Sequence, residues 1–434
     1  MSRHVARASL VFVLFLVPVW GYTATSSVTW MRMLDLETFR TAGDVWDYLA
    51  GLRTGIPPVL SALELLWWVR FHDLTLFSAI LYPVSVAAAF TMAVLMQPAR
   101  PGLRAAVLVL GLFLAHRGVE VHAGNPANYD PLLALLTLGY FLLTEAWLRG
   151  RRTAALAAAG LCLALLELTR PFMIFLLPVF VAVEAHRIVT TASRQACALA
   201  AFLLPVAVLS GGWHLHLWLA HDHQVTWTNI SGFNLQRAWE EFDPEIRAVR
   251  RLDRLPRVRE GGNELWANLN TSQVYHDSEA LKTLIVGKIL DDPVRAARHI
   301  LNRLATSTSA PTRIYDHDPQ GLGIVVYQRT VTALVIALVG YAAVAAAVLL
   351  RRRRWPWLEP RWWLAASTLL IILLVSIGEQ GEEGRLLFSI LPMLLAVAGF
   401  AVDGVIQRVP AALDRQGEIG STSESAHCPD TDRR

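Results

Sequence analysis

The feature that most constrains this chain is a series of apolar runs, each near the roughly 17–25 residues that carry a helix across a bilayer. They lie near 9–28, 74–96, 103–122, 131–148, 153–169, 171–186, 196–219, 325–350, 362–377 and 386–404. Inside lipid every backbone N–H and C=O must be satisfied within the segment, so such runs fold as helices. The expected fold class is an all-α polytopic membrane protein with about ten transmembrane helices. Only 17% of the residues are charged and 54% are hydrophobic, against about a quarter charged in a soluble protein.

Arginines set the expected sidedness. Arg3 and Arg7 precede the first run, Arg100 and Arg104 lie between the second and third, and Arg149, Arg151 and Arg152 follow the fourth. Arg187 and Arg194 follow the sixth, and Arg351 to Arg354 follow the eighth. Every second loop is therefore basic, the positive-inside pattern, which places both termini in the cytoplasm of a plasma (inner) membrane. The first run also fits a signal peptide, an alternative that leaves the next loop on the same side. The net charge of +4 belongs to these loops, and no nucleic-acid motif accompanies it. Three cysteines, two of them in apolar runs, build neither a disulfide framework nor a cysteine-based zinc site.

Four regions follow: a transmembrane core over 1–220, an extracytoplasmic segment over 221–324, closing transmembrane helices over 325–404, and a cytoplasmic tail over 405–434. The tail is rich in Ser and Asp and reads as disordered. The acids and asparagines collect on the outer side, in the loop 29–73, in "HAGNPANYD" at 122–130 and in "GEQGEEGR" at 378–385. In the first outer loop Asp35 and Glu37 come just after the first run. "TAGDVWDYLAGL" then has the spacing of a surface-lying amphipathic helix, and "GIPPVLSALELLWW" re-enters the interface with Trp67 and Trp68 as belt residues. A carboxylate at that boundary is partly desolvated and suited to act as a base. The alternative is that Asp35 and Glu37 solvate the loop end or cap a helix near Thr38.

An acidic residue in the first outer loop, interfacial helices and a Pro-Pro step together resemble the GT-C superfamily of membrane glycosyltransferases. The pattern is similar to the protein O-mannosyltransferases and the aminoarabinose transferases of lipid A. Two further stretches agree. "NYDPLLALLTLGYFLLTEAWLRGRRTAALAAAGLCLALLELTRPFMIFLLP" is similar to the middle core, and "GEQGEEGRLLFSILPMLLAVAGF" resembles the closing helix. The resemblance implies transfer of a sugar from a polyprenyl-phosphate carrier to an extracytoplasmic acceptor, whether glycan, lipid or protein. It implies inversion at the anomeric carbon, with Asp35 or Glu37 as the base. This chain departs from the family in one respect: Leu36 separates the two acids that usually adjoin, so both stay candidates.

The expected substrate-binding residues are Asp130 and Asn128 at the start of the fourth run, Arg170 and Arg385 as phosphate binders, and Glu379 beside the latter. An arginine presents a planar fork to phosphate oxygens, though either could instead snorkel to the interface. Asp130-Pro131 is equally an ordinary helix start. Glu120, His122, Asn125 and Arg117 are weaker lining candidates. In the outer segment, "NELWANLN" and "SEALKTLIVGKILDDPVRAARHILNRLATS" read as helices, the second with a turn at Pro293. "HLHLWLAHDH" and "YDHD" hold histidines and aspartates of metal-binding type. Their spacing fits no dedicated motif, so no metal or other cofactor is assigned, and a divalent metal stays an open alternative. A polysaccharide polymerase or O-antigen ligase and a secondary transporter are the competing functions. A transporter is expected to carry an internal repeat, which this sequence lacks.

Overall fold

The computed structural model describes residues 3–23, 36–51, 58–122, 130–150, 152–170, 172–192, 195–221, 231–249, 257–260, 263–267, 272–309, 321–351, 359–378 and 383–422. The chain is an all-α polytopic membrane protein. Among the described residues nine helices are long and apolar enough to cross a membrane.

The N-terminal helix α1 (Arg3–Thr23) lies against α4 (Leu74–Leu95), with Phe15 stacked on Phe90 at 5.4 Å between ring centroids. Between them come two short helices, α2 (Ala42–Ala50) and α3 (Pro58–Phe71), both on the outer side in the charge-based topology. Next are α5 (Pro101–His122), α6 (Asp130–Gly150), α7 (Thr153–Glu167) and α8 (Met173–Thr191). The seventh expected span is one continuous rod of three parts: α9 (Gln195–Pro205), a π-helical turn (Val206–Gly211) and α10 (Gly212–Ala220). The core packs α6 on α7, α7 on α9, α4 on α6, and the closing helix on α4, α5 and α6. Small residues permit the closest approaches. A Cβ added at Gly160 of α7 would stand 2.1 Å from the Phe202 carbonyl oxygen of α9.

The break expected at "ELTRPF" is present. Helix α7 ends at Glu167 and α8 begins at Met173. Its consequence is geometric. The 15 residues of α7 rise only about 22 Å, against a hydrocarbon thickness of about 30 Å.

The outer segment contains α11 (Ser231–Trp239), α12 (Pro244–Ala248), a β-hairpin, α13 (Ser272–Asp291) and α14 (Pro293–Ser309). The turn at Pro293 is as expected, with Asp292 Oδ1 accepting the Arg295 N–H at 3.0 Å. Two expectations are corrected. "NELWANLN" is not a helix: β2 (Asn263–Ala267) pairs antiparallel with β1 (Arg257–Glu260). Gly261-Gly262 stand between them in the sequence, a favoured two-residue hairpin link. The tail, read as disordered, is helical through Thr422, because the last span continues in α17 (Glu383–Thr422). Ala411, Ala412, Leu413, Arg415 and Gln416 are good helix formers that carry it past the bilayer.

The segment is fastened to the membrane helices α15 (Leu322–Arg351), α16 (Pro360–Gly378) and α17. The Arg303 guanidinium donates to the Ser376 carbonyl at 2.8 Å, and the Trp239 indole to the Ile377 carbonyl at 2.9 Å. These satisfy carbonyls at the end of α16 that have no partner within the helix.

Candidate functional site

The shortness of α7 brings a polar turn into the protein, at the end of the bundle that the charge pattern assigns to the outer side. Glu167, Thr169 and Arg170 are all buried. The Arg170 backbone N–H donates to the Leu166 and Glu167 carbonyls at 3.1 and 3.2 Å, closing the helix end. Ionisable groups at membrane depth carry a large desolvation cost and are kept where they have partners and a task.

The partners of Glu167 come from the neighbouring rod. Ser210 Oγ donates to Oε2 at 2.9 Å, and His214 Nε2 lies 2.9 Å from Oε1. Ser210 belongs to the π-turn, the wider coil that recurs at functional positions in helices, and His214 follows it by four residues on the same face. The carboxylate is sealed while the imidazole is not: the side-chain exposures are 1% and 17%.

The first outer loop forms a roof over this turn. Helix α3 buries Leu60, Ser61, Glu64 and Leu65 along one stripe. Val59 and Trp213 pack with Leu168 and Leu217, so α3, the α7 turn and α10 meet in one apolar cluster. Trp213 also packs against the cluster of Phe39, Val45, Leu49, Leu65 and Leu74 that holds α2 and α3 together. Polar ties complete the attachment. His216 and His221 both place Nε2 on the Ala50 carbonyl, at 2.8 and 3.0 Å. The Trp68 indole donates to the Leu36 carbonyl at 2.8 Å, and that of Trp67 to the Asp73 carbonyl at 2.8 Å.

Of the residues singled out from sequence, Glu37 lies in a 3-10 turn (Leu36–Thr38) with its side chain exposed. It does not cap α2. The cap is Thr41, whose Oγ1 accepts the Asp44 N–H at 3.2 Å while Asp44 Oδ2 accepts the Thr41 N–H at 2.7 Å. Those backbone and hydroxyl donors, Thr41 first and then Arg40, hold the Asp44 carboxyl below its usual range. Burial pushes the neighbouring Tyr48 phenol up to about 12.

Arg170 is enclosed by protein, 3% exposed. Arg117 and Glu120 pair with one another one turn apart on α5. Asp130 opens α6 and Arg385 stands in the first turn of α17, but the side chains of both lie outside the described residues, as do Asp35, Asn128, Asn125, Glu379 and the "YDHD" stretch. Of the histidines of "HLHLWLAHDH", three are described and His223 lies outside the described residues. His214 goes to Glu167, and His216 and His221 to a carbonyl. Among the described residues no three His, Cys, Asp or Glu side chains come together.

The sequence does not join Glu167, Ser210 and His214 into one group. The signal is the lone glutamate that ends the otherwise apolar run of α7, with histidines in the apolar run of α10. A second buried pair, Glu184 and Arg187 on α8, takes the Tyr140 hydroxyl on Glu184 Oε2 at 2.9 Å.

The chain matches no known family model and no curated protein. Among solved structures it is similar to the archaeal oligosaccharyltransferase AglB from Archaeoglobus fulgidus, determined in complex with an inhibitory peptide and a dolichol-phosphate. The identity is 13%, the TM-score 0.42, and 98% of this chain is covered. The chain spans 52% of that protein, about half its length.

Proposed function

We propose that this protein is a membrane glycosyltransferase that moves a sugar from a polyprenyl-phosphate carrier to an acceptor on the outer face of the membrane. One observation carries the reading. A carboxylate and an arginine, Glu167 and Arg170, are buried at the end of a helix too short to cross the bilayer, beneath a roof built from the acidic first loop. A lipid-anchored phosphate reaches that depth from the side while a hydroxyl acceptor reaches it from water.

The roles follow from chemistry. Asp35 or Glu37 takes the proton from the acceptor hydroxyl, which attacks the anomeric carbon from the face opposite the phosphate and inverts it. Arg170 offers fixed positive charge to the departing phosphate, with Arg385 as its counterpart on α17. Asp130, Asn128 and Glu379 line the sugar side. Both termini then face the cytoplasm, and the acceptor is a glycan, a lipid or a protein.

The test is sugar transfer by membranes carrying wild type, Asp35→Asn, Glu37→Gln or Arg170→Gln, supplied with radiolabelled polyprenyl-phosphate sugars, with insertion checked in parallel. Wild type is expected to transfer, and one carboxylate variant to lose about 10²-fold or more. Wild-type membranes that transfer nothing from any donor to glycan, lipid or peptide would overturn the reading.

A further inference from the structure

The cluster at the α7 turn holds more than the transfer reading uses. Arg170 is attached to Glu167 through the backbone, its N–H on the Glu167 carbonyl at 3.2 Å. His214 is attached to the same residue through the side chain, at 2.9 Å. His214 is thereby held on the sealed carboxylate of the same turn that carries the buried Arg170 three residues further on. Ser210 occupies the other carboxylate oxygen, so Glu167 is fixed from two sides and its contact with His214 does not depend on a flexible rotamer. Trp213, packed against Val59, Leu168 and Leu217, keeps that face of α10 against the turn.

We propose that Glu167 positions His214 as a second cation beside Arg170, and that the two together receive the phosphate of the lipid carrier as the sugar leaves. This rests on the glycosyl-transfer reading and adds its leaving-group side. In the step, the bond from the acceptor oxygen to the anomeric carbon forms, and the bond from that carbon to the phosphoryl oxygen breaks. The electron pair leaves with the phosphate, and the acceptor's proton goes to the base in the first outer loop. With Nε2 held on Glu167, the protonated His214 offers its other ring N–H, at Nδ1, as a hydrogen bond to the phosphate that has become a monoester. Glu167 is a positioning residue, since its carboxylate accepts from Ser210 and holds His214. The other ionisable groups at this end are Arg170 on the turn, Glu64 on α3, His216 on α10 and His221 just beyond it.

An imidazole ordinarily changes charge between pH 5 and pH 8, which gives the proposal a readout that a purely structural histidine would not move. The experiment is binding of polyprenyl phosphate to the full chain in detergent at about pH 6 and about pH 8. Wild type, His214→Gln, His214→Lys and Glu167→Gln are compared, with the exposed His186→Gln as control and inorganic phosphate as a second probe. The lipid phosphate changes its own charge near pH 6, so the quantity read is each variant's difference from wild type.

Wild type is expected to bind about tenfold more tightly at the lower pH than His214→Gln, the size of one charge-assisted hydrogen bond. His214→Lys should restore tight binding at both pH values, and Glu167→Gln should shrink the wild-type pH response. His186→Gln should behave as wild type. Should His214→Gln be too unstable to purify, the Lys and Glu167→Gln variants alone decide. The inference falls, with glycosyl transfer left standing, if wild type transfers sugar but His214→Lys binds like His214→Gln, or if Glu167→Gln and wild type respond to pH alike. Equal binding of inorganic phosphate would reduce the site to a general anion site and also overturn it. Wild type that neither binds polyprenyl phosphate nor transfers sugar removes the underlying reading as well.

Discussion

Two of the buried glutamates among the described residues each lie beside a basic group, and they differ in where that group comes from. Glu184 is paired with Arg187 one turn along its own helix, and both side chains are fully enclosed, with Tyr140 of α6 closing the site. Glu167 is paired across helices, to His214 and Ser210, at the end of a truncated span where the imidazole is partly open. The first pair neutralises itself before the helices meet, so it serves packing between α6 and α8. The second exists only once α7 and the α9–α10 rod have come together, and its imidazole keeps an open edge. The proposed role rests on that difference: a partner brought by tertiary packing, together with an open edge.

Removing one side of each pair separates the two roles. The largest effect is expected for Arg187→Leu, which leaves Glu184 enclosed without its cation and costs about 3–5 kcal/mol. It should appear as an early loss of monodisperse protein on heating in detergent. Replacing both partners with leucine should recover most of that loss, because no lone charge is left behind. A thermally normal Arg187→Leu protein would show that the enclosed pair is not structural.

Glu167→Gln should do the opposite, with unfolding close to wild type and sugar transfer lowered about 10²-fold, equivalent to about 2.7 kcal/mol on the barrier. If it instead unfolds as Arg187→Leu does while the surviving fraction transfers normally, the distinction between the pairs is lost. Gly160→Ala sharpens the comparison from the backbone side. The added Cβ meets the Phe202 carbonyl oxygen at 2.1 Å, so α7 and α9 must separate, at about 1–3 kcal/mol. Transfer should fall along with stability, since Ser210 and His214 ride on the rod that has moved.

The smallest effect is expected at the roof. Thr41→Ala removes the cap of α2, worth about 1 kcal/mol, and should speed amide exchange in α2 without changing it in α7. Acid should act in the same place. The folded-state pKa of Asp44 lies below its usual value, so its contribution is present above the unfolded value near 3.8 and is lost as the pH falls through the depressed one. Exchange of the α2 amides should therefore rise only on strong acidification.

Much of the architecture was legible because the physics that sets it is local. Apolar run length announced the spans, and Arg170-Pro171 announced the break after α7, since proline disfavours helix in the residue before it. Asp292-Pro293 announced the start of α14 in the same way. The hairpin was misread although Gly261-Gly262 signalled it, because "NELWANLN" also has helix-compatible residues and short segments are ambiguous in period. The tail was misread as disordered because its Ser and Asp content lies mostly beyond the helix-forming stretch that α17 extends into.

The site was less legible. The sequence by itself determined that this is a many-span membrane protein, since run length and hydropathy act without reference to distant residues. It also singled out Arg170. It did not bring Glu167, 43 residues from Ser210 and 47 from His214, into one cluster, nor did it separate the solvent-facing Glu37 from the enclosed Glu64. Only the tertiary structure decided these, because a hydrogen bond between two helices depends on their depth and rotation in the bundle. Those in turn depend on packing as close as Gly160 against the backbone of Phe202, which no local pattern encodes.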